Sequence, residues 1–67
     1  MGHKLPGVPR RDFERALKAK GYHVDRRTGG HDIWEKTTTL SCVIPSHSRE
    51  IEGGLAKRLA KEHGLNI

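Results

Sequence analysis

A chain of 67 residues has room for one small hydrophobic core, so we expect residues 1–67 to form a single domain. Thirteen Lys and Arg against eight Asp and Glu leave a net charge of +5, which favours a polyanionic partner. No stretch approaches the roughly 20 apolar residues of a membrane span, and no signal peptide precedes the first predicted helix. A membrane protein is therefore excluded and a cytoplasmic location is expected. The single Cys42 agrees, because small secreted domains usually carry paired cysteines, and it is predicted to be a buried apolar residue.

The first predicted element is an amphipathic helix from Pro9 to Lys20. Proline suits the first turn of a helix, and Gly21 is placed to end it. One face of this helix is apolar, with Phe13, Ala16 and Leu17. The opposite face carries a basic stripe of Arg11, Arg15 and Lys18.

Three strands are predicted next. Residues 22–27, with Tyr22 and Val24 facing inward, and residues 31–36 should form a hairpin across the turn at 28–30. Residues 40–44 are the most apolar of the three strands, so we expect them in the middle of the sheet, and Pro45 ends this strand.

A second amphipathic helix is predicted from Leu55 to His63, with Gly64 as its stop. Its apolar face holds Leu55, Ala56, Leu59 and Ala60. A three-stranded antiparallel sheet cannot bury its apolar face alone, so both helices should pack over that face. The predicted fold class is α+β, an α-β-β-β-α two-layer sandwich.

Five histidines make metal binding the first chemistry to consider. Zinc ligands usually occur in pairs about two to five residues apart, whereas His3, His23, His31, His47 and His63 are all farther apart than that. Carboxylates for a two-metal site are not clustered either. The sequence therefore predicts no metal and no cofactor, and it predicts that His3 and His63 are exposed side chains without a role.

His31 differs from the other histidines because it directly follows Gly29 and Gly30. Backbone without Cβ atoms permits a tight turn and lets a phosphate or a ribose approach the next side chain. The pattern alone still favours a half-exposed strand histidine without chemistry over a catalytic one.

Basic side chains are the candidates for binding phosphates. Three of them bracket His31 on the predicted hairpin, namely Arg26, Arg27 and Lys36. Arg11 and Arg15 on the first helix are weaker candidates, because exposed helix faces are normally charged. Tyr22 and Trp34 are large enough to stack on a base, but packing is the commoner use of such side chains.

Five short segments occur in order along the chain. They are Lys4-Leu5-Pro6 with Val8, Ala16-Leu17 to Gly21-Tyr22, Gly29-Gly30-His31, Val43-Ile44-Pro45-Ser46-His47, and Gly53-Gly54-Leu55 with Leu59 to Gly64-Leu65. Together they resemble the HicA family of mRNA interferase toxins, including its Gly-Ser/Thr-His motif and its Val-Pro-Val-His strand end. Each segment is a weak signal alone, but five in the right order are hard to obtain by chance.

The resemblance implies a fold like that of a double-stranded RNA-binding domain and an enzyme that cuts mRNA without a metal. It implies that His31 is the catalytic base, which accepts the proton of the ribose 2′-OH so that this oxygen attacks the adjacent phosphorus. Arg26, Arg27 and Lys36 are then candidates for stabilising the charge at phosphorus, and His47 is a candidate general acid. A cognate antitoxin of the HicB type is the expected protein partner.

Three positions depart from the family pattern. Gly30 replaces the usual Ser or Thr, and activity is expected to be weaker if that hydroxyl orients the substrate. Pro9 replaces a common capping Ser, and Gly54 replaces a common Thr at the start of the last helix. The change at Gly54 is expected to remove a helix cap worth up to about 1 kcal/mol.

Two other classes of protein compete with the enzyme. A non-catalytic RNA-binding module of the same fold would grip two minor grooves with its helix stripes and would bind RNA without yielding product. A helix-turn-helix DNA-binding protein is disfavoured, because that motif needs adjacent helices and the predicted helices lie at the two ends of the chain.

Overall fold

The computed structural model describes residues 6–67. Over that range the elements are β1 (Val8–Pro9), α1 (Arg10–Ala19), β2 (His23–Arg27), β3 (His31–Thr37), β4 (Leu40–Pro45), β5 (Glu50–Ile51) and α2 (Gly53–His63). The longer elements follow the predicted α-β-β-β-α order and confirm the α+β class. None of the helices in residues 6–67 is long and apolar enough to cross a membrane.

The main sheet is antiparallel, and its strand order is β2-β3-β4. The prediction that residues 40–44 form the middle strand is therefore wrong, because β3 lies in the middle and β4 at an edge. Two successive hairpins produce this order, since each strand pairs with the next one along the chain. The apolar character of β4 serves one face only: Cys42 and Ile44 are buried, while Val43 between them is 44% exposed.

The core lies between one face of this sheet and the two helices. Trp34 of β3 and its cross-strand partner Cys42 of β4 are both buried on that face. The helices supply Phe13, Ala16, Leu17, Ala56 and Leu59 to the same cluster. The apolar faces of the helices and of the sheet thus pack into one core, and the predicted two-layer sandwich is confirmed.

Strand β2 departs from the predicted pattern. Tyr22, which directly precedes the strand, is buried as expected. Val24 lies on the inner face, as predicted, because its cross-strand partner is the buried Trp34, but it is 37% exposed. Because β2 is an edge strand and its register shifts between Val24 and Arg26, its side chains lack a neighbour on one side.

The helices end as predicted, but α2 begins differently from the expectation. Gly21 (φ 91°) and Gly64 (φ 65°) follow α1 and α2 with the positive φ that favours glycine, as predicted. Helix α2 begins at Gly53, two residues earlier than predicted, and Glu52 caps it by accepting hydrogen bonds from the N–H groups of Gly54 and Leu55, each 2.9 Å. The cap that Gly54 was expected to remove is therefore supplied by a neighbouring carboxylate.

A small second sheet was not predicted. Strands β1 and β5 pair antiparallel, with Val8 opposite Ile51 and Pro9 opposite Glu50. The Arg10 N–H extends this pairing by donating to the Arg49 carbonyl (2.8 Å). Two-residue strands show no periodicity in sequence. Their pairing holds the start of α1 against the segment that follows β4.

Candidate functional site

His31 is the first residue of β3, and its backbone is fixed by a turn. Thr28 N–H donates to the His31 carbonyl (2.8 Å), and the His31 N–H donates to the Thr28 hydroxyl (3.3 Å). Asp32 and Trp34 of the same strand point toward the helices, so alternation directs the His31 side chain to the open face of the sheet. The residue is exposed, and its imidazole makes no hydrogen bond to the residues that the structure describes.

Asp32, the next residue, has the opposite environment. It is 2% exposed, which makes it the one charged side chain among the buried polar groups of residues 6–67. The Ser46 hydroxyl donates to Oδ1 (2.8 Å), and the Arg10 guanidinium donates to Oδ2. Burial by itself would raise the pKa of Asp32. The hydrogen bonds from Ser46 and Arg10 and the charges of Arg10 and Arg27 outweigh burial and lower this pKa below its usual value.

Arg10 holds the partners of Asp32 together. Besides Asp32, its guanidinium donates to the carbonyls of Pro45 and Ser48 and to the Glu14 carboxylate. Sequence reasoning missed Arg10 and Asp32, because a basic residue at a helix start and an acidic residue in a strand both look like surface residues. The signal that was present is the alternation of β3, which places Asp32 on the same face as Trp34.

Arg26 and Arg27 lie beside the His31 end of β3, as predicted. Arg26 stands opposite Ile33 and Arg27 opposite Asp32 in the sheet register. The Arg27 Nε is 3.4 Å from Asp32 Oδ1, and its side chain is still 65% exposed. Arg26 is 68% exposed, with the nearest carboxylate, on Asp25, 3.7 Å away. Both guanidinium groups are therefore accessible to a phosphate.

Lys36 is not part of this cluster. It lies five residues after His31 on β3, about 16 Å along an extended strand. Its Nζ sits 5.9 Å from the centroid of the Tyr22 ring. The structure places this lysine at the far end of the sheet from His31.

Gly29 and Gly30 occupy the exposed turn before His31. A Cβ added at either position would meet nothing within 4 Å, and the positive-φ glycines of the described residues are Gly21 and Gly64 instead. The conformation of this turn therefore does not require glycine. The absence of side chains does leave the approach to His31 unobstructed.

His47 lies in the segment after β4. Pro45, two residues before it, is the cross-strand partner of His31, and the N–H of Ser46 donates to the Gly30 carbonyl (3.0 Å). His47 itself is exposed. The fold thus brings the segments of both candidate histidines to one end of the sheet.

Arg11 and Arg15 are exposed on α1. Because the helices cover the buried face of the sheet, their outer stripe points away from the open face that carries His31. Arg15 lines a groove of about 440 Å³ with Val8, Ala16, Asn66 and Ile67. These two arginines are therefore apart from the His31 cluster.

The remaining histidines have other environments. The side chain of His63 is 7% exposed, and its Nδ1 is 2.8 Å from the Tyr22 hydroxyl, so the prediction of an exposed, idle residue is wrong. The helix end carries this ring inward against Tyr22, whose own pKa is raised by burial. His23 is exposed on edge strand β2, and His3 lies outside the described residues. Within residues 6–67, no cluster of three or more His, Cys, Asp or Glu is arranged to hold a metal ion.

Cys42, Trp34 and Tyr22 are core residues. Cys42 is 1% exposed, and burial raises the pKa of its thiol to about 11, which confirms the expected packing role and makes the thiolate scarce near pH 7. Trp34 and Tyr22 are each 3% exposed and so cannot stack on a base without unfolding.

A three-stranded antiparallel sheet with two helices on one face defines a fold of the double-stranded RNA-binding-domain type. Here His31 and Arg26 lie on its open side, and Arg27 lies beside Asp32 at the same end of the sheet. A family model described as the HicA toxin of bacterial toxin–antitoxin systems matches residues 10–65, and the chain belongs to this family. It is therefore a toxin of a toxin–antitoxin system, and membership implies a cognate antitoxin. Searches of curated proteins and of solved structures found no match.

Proposed function

We propose that this chain is an endoribonuclease that cuts mRNA, with His31 as the general base. The observation that supports this most is the exposed His31 imidazole, which stands on a backbone fixed by Thr28 and next to the buried Asp32. A general base needs a backbone that is held in place and a side chain that can reach the proton that it accepts, and His31 has both.

The proposed reaction uses the nucleophile that RNA carries. His31 accepts the proton of a ribose 2′-OH, the 2′-oxygen forms a bond to the adjacent phosphorus, and the bond from phosphorus to the 5′-oxygen breaks. His47 gives a proton to the leaving 5′-oxygen. The products are a 2′,3′-cyclic phosphate and a 5′-OH, and no metal is needed to generate the nucleophile.

Arg26 and Arg27 are proposed to bind the phosphate and to stabilise the extra negative charge at phosphorus. Their exposure of 68% and 65% leaves both guanidinium groups available at the His31 end of the sheet. Arginine suits this role because its planar fork matches two phosphate oxygens. Lys36, Arg11 and Arg15 are left with a general electrostatic contribution to RNA binding, since they lie apart from His31.

The test compares His31→Ala with His23→Ala in purified form on a labelled RNA, in buffer with a chelator. His23 is the matched control, because it is an exposed strand histidine on the same face of the sheet as His31. Its cross-strand partner is Glu35, which follows His31 by four residues on β3. We expect His31→Ala to cut about 10²- to 10⁴-fold more slowly with unchanged RNA affinity, and His23→Ala to cut at the parent rate. Equal rates for all three proteins would contradict the proposal. RNA binding without product from the parent would support the non-catalytic module instead.

We also propose that the cognate antitoxin covers the His31 hairpin with an acidic surface. The net charge of +5 and the exposed Arg26 and Arg27 favour such a partner. Cells that express this chain alone should grow more slowly than cells that express it with the antitoxin. A complex in which the His31 imidazole stays fully exposed would contradict this arrangement.

A further inference from the structure

One buried carboxylate joins the segment that carries His47 to the strand that carries His31. Asp32 Oδ1 accepts a hydrogen bond of 2.8 Å from the Ser46 hydroxyl. The Ser46 N–H also donates to the Gly30 carbonyl (3.0 Å). Ser46 therefore contacts the residues on both sides of His31, and it immediately precedes His47 in the chain.

Arg10 completes the same connection from the helix side. Its guanidinium bonds Asp32 and also donates to the carbonyls of Pro45 and Ser48, one before and one after His47. The side chain of Arg10 is 18% exposed and that of Asp32 is 3% exposed. Charge-assisted hydrogen bonds in a buried setting restrict geometry strongly, so the segment from 45 to 48 has little freedom to move relative to β3.

The placement of this network distinguishes it from one that serves stability alone. Asp32 connects the two segments that carry the exposed histidines His31 and His47. A reaction that takes a proton from one side of a phosphate and gives a proton to the other side needs two groups at a fixed separation. The contacts of Asp32 supply that constraint without touching substrate.

We propose that Asp32 is a positioning residue for RNA cleavage, which acts through Ser46 to hold the His47 segment beside His31. This inference rests on the proposed ribonuclease function and adds to it. It predicts that the hydroxyl of Ser46 matters for catalysis although it lies off the reaction path.

The experiment compares Ser46→Ala with Ser48→Ala, alone and combined with His47→Ala. Ser48 is the matched control, since it flanks His47 on the other side and its hydroxyl makes no hydrogen bond to the described residues, while its carbonyl is kept in the variant. We expect Ser46→Ala to lower kcat about 10- to 100-fold at constant KM, and Ser48→Ala to leave kcat unchanged. In the His47→Ala background, Ser46→Ala should lower kcat no further.

A second substrate separates positioning from a loss of structure. In an RNA with sulfur in place of the leaving 5′-oxygen, the departing thiolate needs no proton, because a thiol is far more acidic than an alcohol. Ser46→Ala and His47→Ala should therefore cut this RNA at the parent rate. Equal slowing of both substrates, or a cost of Ser46→Ala that adds fully to that of His47→Ala, would overturn the positioning role. The ribonuclease proposal itself depends on His31→Ala and would survive either result.

Discussion

At the scale of single residues, His31 and Asp32 show how a strand separates binding chemistry from support. The two are adjacent, but alternation sends one side chain to the open face and the other under the helices. The exposed imidazole is available to substrate. The buried carboxylate of Asp32 has three partners, two cationic and one hydroxyl, and these contacts hold the start of β3, which carries the imidazole, in place.

Asp32 also makes stability depend on pH. Because the folded-state pKa of Asp32 is lowered, its ionised form stabilises the fold above the unfolded-state pKa near 4. That contribution is lost as the pH falls from about 4 through the folded-state pKa. Asp32→Asn should lower the free energy of unfolding at pH 7 by about 3 kcal/mol, because it removes the buried one of the two carboxylates that pair with Arg10 and leaves Glu14 as the other.

The measurement is urea unfolding of the parent, Asp32→Asn and Asp25→Asn across the acid range. Asp25 is the control carboxylate, since its side chain is 40% exposed. The stability curve of Asp32→Asn should be flatter below about pH 4 than that of the parent, and Asp25→Asn should follow the parent. Parallel curves for the parent and Asp32→Asn would contradict this assignment.

Gly30 provides a residue-scale test of the departure from the family motif. A Cβ at Gly30 has open space and no positive φ to adopt, so Gly30→Ser should fold normally and gain up to about 1 kcal/mol through the unfolded chain. The added hydroxyl lies next to His31, and we expect faster RNA cleavage. Gly29→Ser is the control, because it adds the same group to the same turn one residue farther away. Equal cleavage rates for both variants would show that the position of the hydroxyl has no influence.

At the scale of elements, the start of α2 depends on a side-chain cap. Helix α2 begins with two glycines, which are poor helix formers, and Glu52 compensates by bonding two N–H groups of the first turn. A carboxylate at this end also interacts favourably with the helix dipole. The register shift in β2 and the short β1–β5 pair are further element-scale features that no sequence period announces.

Removing the Glu52 cap should therefore destabilise α2. Glu52→Ala is expected to lower the free energy of unfolding by about 1 kcal/mol, whereas Glu62→Ala at the other end of the same helix should change it little. Thermal unfolding of the two variants and the parent measures the difference. A loss for Glu62→Ala as large as that for Glu52→Ala would count against the cap.

At the scale of the whole molecule, the net positive charge governs binding, whereas the 2′-OH of the substrate governs cleavage. The net charge of +5 attracts any nucleic acid, while the 2′-OH nucleophile restricts cleavage to RNA. Single-stranded DNA should therefore bind but not be cut. Binding of both polymers should weaken as salt rises, because phosphate contacts release counterions.

Fluorescence anisotropy of His31→Ala with matched RNA and DNA strands at several salt concentrations measures the binding without cleavage. The two salt slopes should be similar, since both polymers offer the same phosphates. Gel assays of the parent protein then separate binding from reaction. Cutting of an all-deoxy strand would rule out the 2′-OH mechanism.

The sequence by itself determined the order of the main elements and the composition of the core. Helical spacing marked Phe13, Ala16 and Leu17, and alternation marked Cys42 and Ile44, because periodicity records which face of an element is buried. The family motif singled out His31 and His47, and the charge excess indicated a polyanion. These are local properties, and a chain carries them before it folds.

Tertiary structure decided which side chains meet. Asp32 is joined to Arg10 across 22 positions and Arg10 to Pro45 across 35, and no local pattern announces contacts of that separation. The same limit explains the misplaced middle strand, since apolar content reports burial and strand order follows from connectivity. Lys36 is close to His31 in the chain but lies at the opposite end of the strand, because an extended backbone gains about 3.3 Å per residue. The backbone contacts of His31 form where the chain turns back on itself, at the Thr28 turn and across the pairing of His31 with the distant Pro45.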